Sequence, residues 1–261
     1  MSLREAGSGP VPQTQWQMKS PSYPVPIASA TSFFVDSSLN ADERHLENVC
    51  RAVIAKKVPL RFSCYLTPTM SDPSLFRLLA EAGCVAVDFG TDSCSEAMLA
   101  SLRKGFTVND VIDTSKACRA AGIDFCHSLI FGAPGETRET VRETVKWIDT
   151  ISPRATAAMT GIRIYPGTEM ERIAVREGII SSREELLKPR FYFHGEDLGL
   201  FQMISDIGAA RRNWFLPGAR DWSSSPGPHL LRLFHRNGPL WRTFRQPQAV
   251  PHGDVDKKNR P

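Results

Sequence analysis

Leu129-Ile130-Phe131-Gly132-Ala133-Pro134-Gly135-Glu136-Thr137 joins an apolar run to a helical pattern through a turn of glycine and proline. A strand that ends in such a turn and passes directly into a helix is the repeating unit of a parallel α/β sheet or barrel. Such folds gather their ligand contacts at the carboxyl ends of the strands. Two other stretches, Gly90-Thr91-Asp92-Ser93 and Tyr165-Pro166-Gly167-Thr168, have the same form and lie at the same kind of boundary.

Working outward, Phe33-Phe34-Val35 reads as a short buried strand. Asn40-Ala41-Asp42 opens a helix with Leu46, Val49, Cys50, Val53 and Ile54 at helical spacing. Residues 60–66 form the next strand, and Asp72-Pro73 supplies a cap and a first-turn proline for a helix bearing Leu75, Leu78 and Leu79. Residues 84–89 are a third strand, Ser93-x-x-Glu96 has the form of a capping box, and Val108, Val111 and Ile112 mark a further helix. The strand 123–131 leads into the glycine-rich turn, where Glu136 places a negative charge in the first turn of the helix carrying Val141, Val145, Ile148 and Ile151. A strand at 155–165 and a short helix at 168–178 complete five strand–helix units. The fold expected is α/β, a partial (βα) TIM-type barrel with parallel strands, followed by a mainly helical C-terminal extension with helices around 195–214 and 227–244. Its divisions are a disordered leader at 1–31, rich in Pro, Ser, Gln and Gly, the barrel at 32–180, and a basic, aromatic extension at 181–261.

The 261 residues, 41% of them hydrophobic, suffice for a large α/β domain with a substantial core. No apolar run approaches the roughly 20 residues that cross a bilayer, and the first residues lack the pattern of a secretory signal, so a cytoplasmic protein is expected. From Phe201 onward ten Lys or Arg stand against four Asp or Glu, beside Trp214, Trp222 and Trp241. No recognised nucleic-acid module accompanies that charge. The tail reads as a solvated basic extension packed by its aromatics, and a nucleic-acid partner is not expected. His127, in an apolar strand with no Cys or acidic partner at metal spacing, reads as a packed histidine.

In their order and spacing the three turns resemble the radical S-adenosylmethionine (SAM) superfamily, most closely the branch whose members often carry a cobalamin-binding domain ahead of the barrel. The resemblance spans Ser32 to about Ile180. It implies a barrel in which a 4Fe–4S cluster cleaves SAM reductively and the resulting 5′-deoxyadenosyl radical abstracts hydrogen from a substrate. It also implies site residues. Ile130 and Gly132 would lay backbone against the adenine, and Tyr165 would line the adenine pocket or close the barrel top as an aromatic plug. Asp92 and Ser93 stand where the family has Gly-x-Glu-Ser facing the ribose; Asp92 is shorter by one methylene, and Ser93 has a competing reading as a helix cap. Asp36 and Asn40 match the turn that holds the methionyl amine, their other reading being a strand-end turn with Asn40 as a cap. The stretch 102–107 is also family-like, its Arg103-Lys104 pair reading most simply as a solvated helix end.

The family holds its cluster on Cys-x3-Cys-x2-Cys. Cys50, Cys64, Cys84, Cys94, Cys118 and Cys126 contain no such triplet, so no metal ligands are assigned and the thiols read as reduced core residues. The function expected is a radical SAM-type enzyme domain or fragment acting on an unknown substrate, inactive as this chain alone. The alternative is a non-catalytic radical SAM-like scaffold or binding module. SAM is expected to bind weakly, and cobalamin to take part only in a longer protein. A third reading, an unrelated barrel, would bind phosphate at 132–136 and be indifferent to SAM.

Overall fold

The computed structural model describes residues 31–57, 59–181, 186–194, 199–216 and 239–243. Strands β1 (Thr31–Phe34), β2 (Arg61–Leu66), β3 (Cys84–Asp92), β4 (Asp124–Phe131) and β5 (Ala155–Thr160) lie side by side in chain order, every pair parallel. Two further short strands, β6 (Ile162–Arg163) and β7 (Phe191–Tyr192), pair antiparallel as a separate ribbon, and β8 (Trp214–Phe215) adds a sixth parallel strand beside β5. The helices are α1 (Glu43–Ala55), α2 (Pro73–Glu81), α3 (Glu96–Ser101), α4 (Val108–Ala120), α5 (Arg138–Ile151), α6 (Glu169–Arg176) and α7 (Leu200–Ala209).

Local chemistry sets where these elements begin. Asp42 accepts from the His45 amide, and Asp72 from the Ser74 amide with Pro73 in the first helical position. Thr107 with Asp110, and Thr137 with Thr140, close reciprocal capping boxes at the starts of α4 and α5. Each such cap contributes about 1 kcal/mol.

Alternation along the strands separates two faces. Phe62, Cys64 and Leu66 of β2, Val87 and Phe89 of β3, and Phe125, Leu129 and Phe131 of β4 are buried in one core with Leu46, Leu79, Val111 and Ile148 from the helices. Burial of each such large side chain is worth roughly 1.5–3 kcal/mol. The intervening residues form the other, concave face. There the strand register sets Tyr65 beside Asp88 and Asp88 beside Cys126, with Ser128 beside Ala157 and Ile130 beside Met159 nearer the carboxyl edge.

Two details differ from the sequence reading. The strand expected at 155–165 is broken at Gly161, whose φ of 82° turns the chain while its amide donates to the Phe131 carbonyl at 2.7 Å. Its continuation, β6, leaves the parallel sheet for β7. The cap of α1 is Asp42 rather than Asn40. Within the extension, 195–214 yields the single helix α7 together with the strand residue Trp214. The helix expected at 227–244 lies outside the described residues except for 239–243, which hold a 3-10 turn at Leu240–Thr243. The leader lies outside the described residues except for Thr31, which opens β1.

Candidate functional site

Because β1 to β5 run parallel, the residues that follow β1, end β3 and follow β4 belong to one edge. Asp36, Asp92 and Gly132 are therefore at the same end of the sheet, while Tyr165 follows β6, which has left that sheet for the ribbon with β7. Asp92 takes a left-handed φ of 63° at the last position of β3, and its Oδ2 receives the Lys104 ammonium at 2.7 Å. Both side chains are about one-fifth exposed, 21% and 22%. Lys104 is thus the counter-ion of Asp92 and not a solvated helix end, because the chain reverses after α3 and brings the loop back over the strand end. A partly screened ion pair of this kind orients the carboxylate more than it stabilises the fold.

The glycine-rich turn closes on itself. Glu136, almost fully buried, accepts the Gly132 amide at 3.3 Å on one oxygen and the Thr140 hydroxyl at 2.5 Å on the other. Burial raises its pKa, and these two hydrogen bonds oppose the rise. Since α5 starts at Arg138, Glu136 is a brace across the turn rather than a first-turn helix charge. The Gly132 carbonyl accepts from His194, and the Phe193 ring occupies the space where a Gly132 side chain would begin. With the Gly132 amide committed to a carboxylate, the turn has one donor fewer for a phosphate. Ile130 is half-buried on the concave side, and Tyr165 is exposed with the Arg163 guanidinium 4.8 Å from its ring centre.

Two sequence candidates are turned inward. Ser93 hydrogen bonds Thr144 of α5 at 2.9 Å and accepts the Ser95 amide at 3.2 Å, while the Cys94 amide donates to Thr144. The helix cap is Ser95, and Glu96 reaches forward to the Val108 amide at the start of α4. The turn at Asp92 rotates Ser93 toward the helix layer. Asn40 is buried and clasps Thr67 after β2, donating to its carbonyl and accepting its amide, both at 2.8 Å. Asp36, by contrast, is exposed.

Deeper on the concave face lies a cluster that sequence reasoning did not find. Asp88 accepts the Trp241 indole N–H at 2.7 Å, and Arg242 donates to Asp124 at 2.9 Å. The strap 239–243 is thereby fastened beneath the strands, with Trp241 packed against Ala86, Cys126 and Ala155. Burial lifts the Asp88 carboxyl to about 6, the Trp241 bond opposing that rise. The sequence signal was present: Asp88 is the lone charge in the otherwise apolar run 84–89. What the sequence could not show was a partner 153 residues away. His127 faces the other side, fully buried between Thr91 and Ser115 in the helix layer.

The six cysteines do not fit a cluster. All are buried, and burial pushes the Cys50 and Cys94 thiols up to about 12. A hydrogen bond with Cys84 raises Cys64, while burial raises Cys118 and Cys126. Cluster iron needs converging thiolates, and among the described residues no three His, Cys, Asp or Glu gather as a metal site. Among the same residues no helix is long and apolar enough to cross a membrane.

Comparison with known proteins places this geometry. Residues 31–148 match the family profile described as the Radical SAM superfamily. Tryptophan 2-C-methyltransferase of Streptomyces laurentii is 30% identical over 145 residues, 50% of this chain and 24% of that protein. An uncharacterized methyltransferase of Pyrococcus horikoshii is 24% identical over 147 residues, 56% of this chain and 32% of that protein. The chain thus spans about a quarter to a third of these relatives. The structure of the radical SAM methyltransferase TsrM from Kitasatospora setae, with cobalamin and a 4Fe–4S cluster bound, matches with a TM-score of 0.68 at 22% identity, covering 81% of this chain and 49% of that one. The archaeal Elp3 of Methanocaldococcus infernus matches with a TM-score of 0.51 at 16% identity, covering 74% and 48%. At these identities the structural likeness establishes the fold.

Proposed function

From the match of residues 31–148 to the Radical SAM superfamily profile, we propose that this chain is the SAM-holding part of a radical SAM-type domain whose cluster thiolates are not among its six cysteines. The observation that carries the reading is the shared carboxyl edge, where one surface offers what each portion of SAM requires. Ile130 and Met159, paired across β4 and β5, give an apolar bed for the adenine, with the Gly132 backbone at its margin and the exposed Tyr165 ring available to cover it. Asp92, oriented by Lys104, accepts from the ribose hydroxyls. Beside Gly90 a side chain would meet no atom within 4 Å, which leaves room for close approach to the backbone. Asp36 supplies a carboxylate for the methionyl ammonium. Asn40 and Ser93 act indirectly, the first by shaping the loop that carries Asp36 and the second by anchoring the turn after Asp92 to α5.

The relatives' names support transfer of a methyl group as the class of outcome, with cobalamin bound by a longer protein. Within this chain the residues bind and orient, and reductive cleavage of SAM depends on thiolates from outside these six cysteines. A non-catalytic SAM-binding scaffold is the second reading, favoured by the burial of every thiol. Equilibrium titration of SAM into the full chain tests the site: Asp92→Asn is expected to weaken binding ~10-fold, and Arg51→Ala on the outer face of α1 to leave it unchanged. Equal weakening by both variants, or by neither, would refute the assignment. Formation of 5′-deoxyadenosine by the chain under reducing conditions with added iron and sulfide would rule out the scaffold reading.

A further inference from the structure

On the sheet face away from the main core lies an open pocket of about 360 Å³ lined by Phe33, Ser63, Tyr65, Asp88 and Trp241, among others. None of the residues assigned to SAM lines it. Its volume lies in the range of small-molecule sites. Its walls are aromatic: Phe33 and Tyr65 stand edge to face with ring centres 4.8 Å apart, both partly exposed, and the Trp241 indole closes the floor. Its polar groups converge. Tyr65 and Asp88 are paired across adjacent strands, and Ser63, two residues before Tyr65, is 1% exposed with a hydroxyl that has no hydrogen-bond partner. The Ser63 hydroxyl lines the same pocket as the Asp88 carboxyl, where a bound polar group would satisfy it.

We propose that this cavity binds a small organic ammonium cation, with the Asp88 carboxylate as its counter-charge, the Ser63 and Tyr65 hydroxyls as hydrogen-bond partners, and the Phe33, Tyr65 and Trp241 rings around it. Three aromatic rings with one carboxylate is the arrangement that recognises substituted ammonium groups, through the negative faces of the rings and one ion pair. Trp241 uses its N–H on one oxygen of Asp88, which fixes the carboxylate and leaves its remaining acceptor capacity for the ligand. The class named is that of the substrate presented to the SAM edge, and to that extent it rests on the proposed function.

The pH dependence follows from the groups that face Asp88. Tyr65 from β2 and Cys126 from β4 keep their protons, both being pushed upward, and Trp241 does not titrate, while Arg242 of the strap is engaged by Asp124. Asp88 alone changes charge near neutrality, so cation binding weakens as pH falls through about 6.

The test is calorimetric titration of tryptamine into the full chain at pH 7.5, beside indole-3-propionate as an anion on a similar body. Tryptamine is expected to bind and the propionate not to. Asp88→Asn should weaken tryptamine at least ~10-fold, as should a fall to pH 5, and Ser63→Ala should weaken it ~3-fold or more. Ser63→Ala removes a hydroxyl with no protein partner, so it keeps the test valid should Asp88→Asn unfold. Equal binding of the anion, or unchanged tryptamine affinity in Ser63→Ala and at pH 5, overturns the proposal. SAM is titrated in parallel: SAM binding without tryptamine binding overturns the cavity assignment and leaves the proposed function standing. Tryptamine binding without SAM binding supports the cation site and refutes the SAM edge.

Discussion

At Gly132 the backbone turns through a φ of 85° with the Phe193 ring 2.2 Å from where a β-carbon would stand. Gly132→Ala therefore meets both backbone strain and a ring clash, and is expected to lower stability by about 2–4 kcal/mol in urea unfolding. Adding Phe193→Ala should recover part of that loss, since it removes the clash but not the strain. His127 gives a second residue-scale expectation. Ser115 donates to the Val111 carbonyl, so His127 Nε2 must donate to Ser115, and Nδ1 accepts from Thr91. The ring is fixed neutral, and burial pushes its pKa down to about 3. With the folded value below the unfolded one, the stability this ring contributes is present above about pH 6.5 and is lost as pH falls toward 3. Asp88 runs the other way: its folded pKa of about 6 exceeds its ordinary 3.8, so between those values the folded chain binds more proton and gains stability on acidification. The two nearly offset. Urea titrations at pH 7 and 4.5 should show His127→Gln faring better on acidification than the parent by about 2–3 kcal/mol; an identical change in both proteins would contradict the buried neutral ring.

Among the elements, the strap 239–243 is the one whose removal changes the sheet's concave face. Trp241→Ala opens a void among Ala86, Cys126 and Ala155 and leaves Asp88 without its donor. The expected cost is about 3 kcal/mol or more, read by thermal or urea unfolding, whereas Trp241→Phe should lose less because the packing is kept. This element also marks where the sequence stopped being legible. The helices α1, α2, α4 and α5 were readable because apolar spacing and short-range caps such as Asp72-Pro73 are encoded within a dozen residues. The same held for β2, β3 and β4, whose apolar runs end at Thr67-Pro68, Gly90 and Gly132. The two-residue strands β6, β7 and β8 carry too few side chains for a periodicity. The Asp92–Lys104 pair needed the reversal after α3, and the Asp88–Trp241 pair joined segments with no pattern in common. Of the site candidates, Asp36, Asp92 and Gly132 share an edge because strand ends do so in any parallel sheet, whereas Tyr165 follows β6 in the separate ribbon. Asn40 and Ser93, expected as SAM contacts or alternatively as helix caps, instead bond tertiary partners, Thr67 and Thr144, which no local pattern in the sequence announces.

For the molecule as a whole, the parallel sheet that matches the Radical SAM superfamily profile over 31–148 carries the edge proposed to hold SAM, while its thiols belong to the core. Anaerobic incubation with iron and sulfide is accordingly expected to leave no stable 4Fe–4S cluster on this chain, as read by visible absorbance and EPR. SAM should still bind, without the chelation by cluster iron that relatives add, and so ~100-fold or more below their affinity. The measurement that bears most directly on this account is calorimetric titration of SAM into the full chain before and after that incubation. Weak binding of the same strength in both states, lost in part with Asp92→Asn, is the result predicted. No binding at all, or a tightening of ~100-fold once iron and sulfide are supplied, would contradict it.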